Sequence, residues 1–404
     1  MNIFLASLNP CNTRKVNVKQ YLDFMESCGH SVVESPALAD IIFVWGCEFR
    51  NDWREFTHSV VKDLKEQYKK EIIYIGCTFV DEHTKKTASE LGVTIIPWKD
   101  DKHILETKIQ EVEKKLSQTP LRLTEKQIVE DLKDYREKNP TARVWFEDEY
   151  IKLNICEGCR GYCTYCSERM MFPEFRSFDE DKIINDCKKA LQESKTKRIL
   201  FLADSSGDYG KDTNTSLTKL IKRLKNEVDS EIKIGITQIN PEHFLEQKEL
   251  LNFVADGTID YLNLPIQTAS DVLLERMNRK YRYKDIKDLF DKLSDLKFSN
   301  FSTHLLLGFP GETMSDVEKS VDFLSHYKIR HVVASSFMSH PAIKASQFSD
   351  QILPEEKRKR VMFCKERLTS KGIIVFTDFA SISNKLMIKI KESLGLSRNI
   401  FQKD

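Results

Sequence analysis

Three cysteines lie close together in the segment Cys159-Arg160-Gly161-Tyr162-Cys163-Thr164-Tyr165-Cys166. Their spacing is C-x3-C-x2-C, and the segment follows the apolar run Ile151 to Ile155. Cysteine thiolates are the usual protein ligands of iron–sulfur clusters. Three thiolates on one short loop can bind three irons of a cubane cluster and leave the fourth iron open to a small ligand. The loop is therefore a candidate iron–sulfur site.

Zinc is an alternative metal for the same three thiol ligands. A structural zinc ion takes four ligands, commonly from C-x2-C pairs, and Cys156 could supply the fourth. Burial of all three thiols as small apolar groups is disfavoured, because the loop is rich in glycine and polar residues and follows a predicted strand. The zinc alternative stays open at this point, and so does the role of Cys156.

Three further cysteines, Cys11, Cys47 and Cys77, are far apart in the sequence. Each follows an apolar run that we predict to be a strand, respectively Ile3 to Leu5, Ile41 to Trp45 and Ile72 to Ile75. Because the carboxyl ends of parallel strands meet at one edge of a sheet, we expect the three thiols to converge there. One such cysteine alone would be interpreted as a small buried hydrophobe. The shared position of all three predicts a second cluster.

The elements that must position these cysteines alternate along the chain. Up to residue 115, short apolar runs, including Val93 to Ile96, alternate with helix-period segments such as Val16 to Cys28. This alternation predicts an α/β domain with a Rossmann-like parallel sheet over residues 1–115. Residues 116–143 are highly charged and predict a helical linker.

A second series of alternating elements follows over residues 144–375. Its candidate strands are Ile151 to Ile155, Arg198 to Leu202, Ile232 to Ile236, Tyr261 to Leu264, Thr303 to Leu307 and Val332 to Phe337. Six such units are too few for a closed eight-fold barrel, so they predict a partial (β/α)6 barrel. Residues 376–404 remain as a C-terminal tail with a helical pattern from Ser383 to Leu394.

Composition limits the choice of partners and compartment. Lysine plus arginine (63) nearly balances aspartate plus glutamate (62), for a net charge of +1. Such a balance disfavours a general attraction to nucleic acid or to an anionic membrane. The basic run Lys357-Arg358-Lys359-Arg360 is flanked by Glu355 and Glu356, so we interpret it as a solvated helix face. With no leader and no long apolar run, we expect a soluble, cytoplasmic protein whose ten cysteines are not disulfide-bonded.

Together the two cysteine sets resemble those of the methylthiotransferase family of radical S-adenosylmethionine (SAM) enzymes. The C-x3-C-x2-C loop, with the aromatic Tyr165 before its last cysteine, is similar to the radical SAM signature. The resemblance covers roughly residues 1 to 370. Further matching segments are Asn9-Pro10-Cys11-Asn12, Trp45-Gly46-Cys47, Ile75-Gly76-Cys77, Glu157-Gly158-Cys159, Arg176-Ser177, Tyr209-Gly210-Lys211-Asp212, Pro265-Ile266-Gln267, Met277-Asn278-Arg279 and Gly308-Phe309-Pro310-Gly311-Glu312-Thr313.

The resemblance implies two 4Fe–4S clusters and SAM as cofactors. Cys159, Cys163 and Cys166 would bind the cluster that cleaves SAM, and Cys11, Cys47 and Cys77 an auxiliary cluster. One SAM would donate its methyl group to sulfur, and a second would supply the radical that removes hydrogen from an unactivated carbon. A reductant such as flavodoxin or ferredoxin is implied. The expected SAM contacts are Tyr165, Arg176, Asp204, Ser205 and Gln267.

Several positions depart from the family pattern. Phe172-Pro173 and Ala203-Asp204 replace the usual Arg-Gly and Gly-Gln, and His304 replaces an acidic residue. An isolated histidine at a strand end is more often a structural residue than a catalyst. About thirty residues follow Thr377, too few for the C-terminal β-barrel (TRAM) domain of the family.

These features favour a peptide or protein substrate, such as a ribosomally made precursor, because the Tyr-Gly-x-Asp segment resembles the branch that modifies an aspartate in a protein. Alternatives are a transfer RNA methylthiotransferase, or a radical SAM enzyme that performs epimerisation, dehydrogenation or cross-linking. A third is a non-catalytic metal-binding or interaction protein.

Overall fold

The computed structural model describes residues 1–8, 12–48, 51–77, 82–96, 122–123, 150–172, 174–340, 343–377 and 384–396. The chain divides into two compact units. The first unit comprises residues 1–121, 170–173 and 380–404, and the second comprises residues 122–169 and 174–379. Each unit contains its own sheet; Cys47 and Cys77 lie on strands of the first sheet, and the C-x3-C-x2-C loop follows a strand of the second.

The first unit contains a five-stranded sheet in the order β2-β1-β3-β4-β5, and every neighbouring pair is parallel. Its strands are β1 (Asn2–Ser7), β2 (Ser31–Val32), β3 (Ile41–Cys47), β4 (Glu71–Cys77) and β5 (Thr94–Ile95). The helices between them are α1 (Asn12–Ser27), α2 (Asn51–Tyr68) and α3 (Glu82–Leu91). This architecture confirms the predicted Rossmann-like parallel-sheet domain.

Both faces of this sheet are covered, because successive side chains of a strand point to opposite sides. Along β3, Ile42 and Val44 pack in the same buried cluster as Val60 of α2. Phe43 and Trp45 pack on the other face with residues of α1. Strands buried on both faces are near-continuous apolar runs, which is how β3 and β4 appear in the sequence.

The predicted C-terminal tail carries helix α13 (Asn384–Ser393), which belongs to the first unit. Leu394 and Leu396 join the buried cluster beneath α2. The Lys391 ammonium lies 2.6 Å from a carboxylate oxygen of Asp63, and the Tyr68 hydroxyl donates to the carbonyl of Leu394 at 2.9 Å. Helix α13 and the residues that directly follow it therefore contribute to the core of the first unit.

The second unit contains an eight-stranded sheet in the order β15-β14-β13-β12-β11-β10-β7-β6. Its strands are β6 (Arg122–Leu123), β7 (Ile151–Asn154), β10 (Arg198–Leu202), β11 (Lys233–Ile236), β12 (Ile259–Asn263), β13 (Phe301–Leu307), β14 (His331–Ser336) and β15 (Ile374–Thr377). All neighbours are parallel except β6 and β7. The six predicted barrel strands correspond to β7 and β10 to β14, which confirms the partial barrel. Strands β6 and β15 were not predicted, and most of the predicted linker lies outside the described residues.

Helices alternate with the parallel strands of the second unit. They are α4 (Glu168–Met171), α5 (Glu180–Glu193), α6 (Leu217–Glu227), α7 (Pro241–Glu246), α8 (Glu249–Ala255), α9 (Asp271–Arg276), α10 (Tyr283–Asp295), α11 (Met314–Ser325) and α12 (Pro354–Ser370). Side-chain caps set where several of them begin, as when the Thr313 hydroxyl accepts from the backbone of Asp316 at 3.3 Å. In the described part of the chain, no helix is long and apolar enough to cross a membrane.

The basic run on α12 is only partly a solvated face. Arg358 and Lys359 are exposed as predicted, but Arg360 is buried. Its guanidinium donates to the Glu312 carboxylate at 3.0 Å and to the Glu312 carbonyl at 2.7 Å. The prediction was wrong for Arg360. Four consecutive residues cover a full turn of a helix, so one of them faces the strands on which α12 packs.

Candidate active site

The C-x3-C-x2-C loop begins where β7 leaves the barrel. A short ladder precedes it, in which β8 (Cys156–Glu157) pairs antiparallel with β9 (Arg176–Ser177). Gly158 follows with a φ of +76°, and a side chain there would come within 2.5 Å of the Glu174 carbonyl. Its N–H donates to the Asp204 carboxylate at 2.9 Å. Only glycine satisfies both the positive φ and the close backbone approach at this entry point.

Each of the three loop sulfurs accepts a hydrogen bond from nitrogen. The Gly161 N–H donates to Cys159 Sγ at 3.2 Å, and the Glu168 N–H donates to Cys166 Sγ at 3.3 Å. The third donor is the Arg279 guanidinium, whose Nη1 lies 3.5 Å from Cys163 Sγ. Donors of this kind stabilise sulfur that carries negative charge, as in a thiolate ligand.

Two of the three sulfurs lie close to the backbone of the loop. A β-carbon placed on Gly161 would lie 3.2 Å from Cys159 Sγ and 3.8 Å from Cys163 Sγ. Among the described residues, no three His, Cys, Asp or Glu side chains converge closely enough to hold a single metal ion. Three thiols that accept hydrogen bonds from N–H donors fit an iron–sulfur cluster in which cysteine sulfur binds three of the irons.

Burial opposes ionisation of the free thiols. It raises the pKa of Cys159 to about 12, against the weaker opposing effects of the Gly161 N–H and the Ser205 side chain. Because a thiol must lose its proton to bind metal, ligation here releases protons.

Cys156 lies on β8 rather than in the loop. It is fully buried, and its thiol donates to the Ser205 carbonyl at 3.5 Å. Burial and then the nearby charge of Asp204 raise the pKa of this thiol. Within the described residues, the Cys156 thiol is thus engaged by a backbone carbonyl of the segment after β10.

The segment after β10 supports the start of the cysteine loop. Asp204 accepts from Gly158, and Asp208 accepts from the Arg160 N–H at 3.1 Å. The Ser205 side chain lies near the Cys159 thiol, whose pKa it lowers against the larger effect of burial. Asp204 and Ser205, both expected to contact SAM, therefore lie directly beside the loop.

The other expected SAM contacts occupy different surroundings. Tyr165 packs among buried apolar side chains, with the Arg279 guanidinium 5.8 Å from its ring. Arg176 is half-exposed and donates to the Glu157 carboxylate at 3.2 Å. Gln267 adopts a φ of +68° and bridges to β13 through its own backbone.

His304 lies on β13 beside Gln267, whose N–H donates to the His304 carbonyl at 2.8 Å. The Asn263 amide lies 3.1 Å from His304 Nε2. Burial, and then the charge of Arg279, lower the pKa of His304 to about 4. The imidazole is therefore neutral at pH 7, and its Nε2 accepts from Asn263. This arrangement agrees with a hydrogen-bonded structural histidine.

The second set of cysteines lies at the carboxyl edge of the first sheet. Cys47 and Cys77 end β3 and β4 and face each other in register. Both are buried. Cys11, the third predicted ligand, lies outside the described residues. Two thiols paired at this edge fit the donor chemistry of a sulfur-ligated cluster.

The backbone just before each of these cysteines is tightly packed. A β-carbon on Gly46 would lie 2.3 Å from the Tyr74 ring, and one on Gly76 would lie 2.8 Å from the Gly46 carbonyl. Behind Cys47, the buried Glu48 carboxylate accepts from the Tyr74 hydroxyl at 3.2 Å and lies 3.1 Å from His58 Nε2. The Gly-Cys pairs of the sequence thus mark close contact between two strands.

Sequence reasoning did not assign a role to several residues that build the site. These are Asp208, Asp212, Asn278, Arg279 and Glu48. Asp212, Asn278 and Arg279 lie inside matching segments, which was the available signal. Glu48 and Asp208 stand in no such segment.

Comparison with known proteins agrees with an iron–sulfur site in the C-x3-C-x2-C loop. The profile of the radical SAM superfamily matches residues 153–324. A probable threonylcarbamoyladenosine tRNA methylthiotransferase of Pyrococcus horikoshii is 27% identical over 343 residues, covering 82% of this chain and 76% of that protein. The ribosomal protein uS12 methylthiotransferase RimO of Dictyoglomus thermophilum is 25% identical over 362 residues, covering 87% and 79%. The structure of the radical SAM methyltransferase TsrM from Kitasatospora setae, with cobalamin and a [4Fe-4S] cluster bound, shares this fold with a TM-score of 0.62 at 11% identity, covering 85% and 77%.

Proposed function

We propose that this chain, whose residues 153–324 match the radical SAM superfamily and which is similar to methylthiotransferases over most of its length, inserts a methylthio group at an unactivated C–H carbon of a peptide or protein. The proposal assigns one 4Fe–4S cluster to each unit. Cys159, Cys163 and Cys166 bind the first, and Cys11, Cys47 and Cys77 bind the second.

The chemistry divides between cofactors and protein. When bound, the clusters and SAM supply the radical and the methylated sulfur that replace hydrogen on an inert carbon, which no acid–base pair can achieve. The protein holds the loop thiols with N–H donors at all three sulfurs. Asp204 and Ser205 are placed beside the loop, where SAM would lie. Tyr165, Arg176 and Gln267 are proposed as further contacts.

The in-register pairing of Cys47 with Cys77 carries the two-cluster proposal. A single buried cysteine at a strand end is commonly a packing residue. Two such residues opposite each other, each following a glycine that no other residue can replace without a clash, indicate a constrained site. A methylthiotransferase needs such a second site to hold sulfur for transfer.

Two observations support a peptide or protein substrate, namely the net charge of the chain and the similarity to the Dictyoglomus thermophilum relative. The net charge of +1 offers no general attraction to a polyanion. The Dictyoglomus thermophilum relative is named for ribosomal protein uS12, and the Tyr209-Gly210-Lys211-Asp212 segment resembles that branch. A peptide or protein substrate is therefore favoured.

The two-cluster proposal is tested by anaerobic reconstitution with iron and sulfide, followed by iron counting. We expect about eight irons per chain in the wild type and about four in the Cys47→Ala/Cys77→Ala variant. The variant should still form 5′-deoxyadenosine from SAM but transfer no methylthio group. Cys187→Ala, which removes a buried cysteine on α5, is the matched control. Full iron content in the double variant would exclude the auxiliary site.

Transfer RNA is the second candidate substrate, because the Pyrococcus horikoshii relative is named for a transfer RNA reaction. SAM labelled in its methyl group distinguishes the two. Label that enters total protein of the source cells, and is released as a methylthio-amino acid, supports the proposal. Label that enters total RNA instead would assign the enzyme to nucleic acid.

A further inference from the structure

The segment Arg276 to Arg279, which follows α9, contacts the cysteine loop at four successive positions. The carbonyl of Arg276 accepts from the Thr164 hydroxyl at 2.8 Å, and the carbonyl of Met277 accepts from the Thr164 N–H at 3.2 Å. The Asn278 amide donates to the Tyr162 carbonyl at 2.9 Å. The Arg279 guanidinium then reaches Cys163. One short segment therefore holds the centre of the loop.

Arg279 differs from the other two sulfur donors. Cys159 and Cys166 accept from backbone N–H groups of their own loop or of the helix that follows it. Cys163 accepts from a side chain that is 116 residues away in the sequence and carries a full positive charge. Hydrogen bonds from charged donors are about twice as strong as those from neutral ones.

The Arg279 side chain is held in place from the opposite side. It is buried, and its Nη2 donates to the Pro265 carbonyl at 3.1 Å. The Tyr281 hydroxyl donates to the next carbonyl, that of Ile266, at 3.0 Å. The rings of Tyr165 and Tyr281 lie 5.8 and 5.5 Å from the guanidinium.

The partners of this buried cation are not anions. Among the described residues its hydrogen-bond acceptors are a carbonyl and a thiol, and its Nε has no partner there. A buried charge requires compensation, and an arginine keeps its charge at any pH in which proteins fold. The pKa of Glu242 is lowered by His243 and also by the charge of Arg279, but no hydrogen bond joins Glu242 to Arg279 among the described residues. Thiolate ligands of a cluster at this loop would supply a hydrogen-bonded negative charge.

We propose that Arg279 is a positioning residue that fixes Cys163 and raises the reduction potential of the cluster in the second unit. A positive charge and an N–H···S bond both favour the reduced, more negative cluster. Easier reduction would bring the cluster within reach of a biological electron donor. The inference rests on the proposed ligand role of Cys163 but not on the auxiliary site or the substrate.

The test uses the full-length chain with Cys47→Ala and Cys77→Ala, so that only the loop cluster is expected. Into this parent, Arg279→Met removes the charge and the donor, while Arg279→Lys keeps the charge. Arg223→Met is the matched control, because it also removes one arginine charge but from α6, where the guanidinium pairs with Glu227 and Asp181 instead of the loop. Iron is counted, and cluster reduction is followed by EPR in a redox titration.

At the midpoint potential of the parent, Arg279→Met should lower the ratio of reduced to oxidised cluster about tenfold, as expected for loss of one nearby charge. Arg279→Lys should restore most of the reduction, and Arg223→Met should match the parent. An unchanged ratio in Arg279→Met would overturn the inference while leaving the function intact. A parent without any cluster would overturn the proposed function.

A second measurement covers the case in which Arg279→Met does not fold, as judged by circular dichroism. Folded Arg279→Lys should lose iron to a chelator several-fold faster than Arg223→Met, because a lysine cannot reach both Cys163 and Pro265 with fixed geometry. Equal rates of iron loss in these two variants would show that Arg279 does not position Cys163.

Discussion

The carboxylate of Asp212 accepts two hydrogen bonds from Ser177, one from its hydroxyl at 2.5 Å and one from its N–H at 2.8 Å. The Ser177 hydroxyl in turn accepts from the Gly210 N–H at 2.8 Å. Ser177 lies on β9, which pairs with β8 at the entrance to the cysteine loop. The Asp212 carboxylate thus joins two distant sequence segments and supports the loop.

Replacing Asp212 should destabilise the second unit. Asp212→Ala leaves the Ser177 hydroxyl and N–H without their acceptor, so we expect the free energy of unfolding to fall by about 2 kcal/mol. Urea denaturation followed by circular dichroism measures this. Glu231→Ala is the control, because its carboxylate pairs with Lys197 on the surface, where about 0.5 kcal/mol is expected. Equal losses in the two variants would contradict the supporting role.

Gly46→Ala should disrupt the cysteine pair of the first unit. The added β-carbon would lie 2.3 Å from the Tyr74 ring and 2.7 Å from Thr57 Cγ2, so β3 must shift relative to β4. We expect reconstituted iron to fall from about eight to about four per chain. Gly29→Ala is the control, because its side chain meets open space and the strain of its φ of +81° lies away from the cysteine pair. Full iron content in Gly46→Ala would show that the strand spacing is not required.

The buried Glu312–Arg360 pair should be strongly coupled. Arg360→Met leaves the Glu312 carboxylate buried without its cation, and we expect a loss of about 3 kcal/mol in the free energy of unfolding. Glu312→Leu added to Arg360→Met should recover much of this loss. A double-mutant cycle by urea denaturation measures the coupling. Additive losses would contradict it.

The pH dependence of Arg360→Met follows from the state of Glu312. Burial raises the pKa of Glu312 to about 7, against the opposing effects of the Gly308 N–H and of Arg360. Removing Arg360 raises this pKa further. A carboxyl with a raised pKa in the folded state loses stability as pH rises from its unfolded value toward its folded one. The variant should therefore be less destabilised at pH 6 than at pH 8.

His304 should make the protein sensitive to acid. Its pKa is lowered from 6.5 to about 4 by burial and by Arg279, so the unfolded chain binds the proton first as pH falls. Stability is then present above pH 6.5 and is lost as pH falls toward 4. Between pH 7 and pH 5, His304→Gln should lose about 1 to 2 kcal/mol less than the wild type.

The control for this prediction is His326→Gln, because His326 is exposed at the end of α11. Its urea midpoint should change between pH 7 and pH 5 as the wild-type midpoint does. If His304→Gln behaves in the same way, another group is responsible for the acid sensitivity. His331 is the nearest candidate, because burial lowers its pKa to about 4 as well.

The sequence alone determined the elements and the local chemistry of this protein. Apolar runs such as Ile41 to Trp45 correspond to buried strands. They are recognisable in the sequence because the patterns of strands and helices repeat over short stretches of the chain. The C-x3-C-x2-C loop was also recognisable, since its three thiols are neighbours in sequence. Even the meeting of Cys47 and Cys77 followed from the rule that parallel strands end at one edge.

Only the tertiary structure decided which distant side chains meet. Arg279 reaches Cys163 across 116 residues, and Asp212 reaches Ser177 across 35. Arg360, which the charge pattern assigned to solvent, turns inward to Glu312. Periodicity specifies which face of an element is apolar, but the contacts of a polar side chain depend on the register and rotation of two elements packed together. Those quantities are set by the whole core and leave no local signature in the sequence.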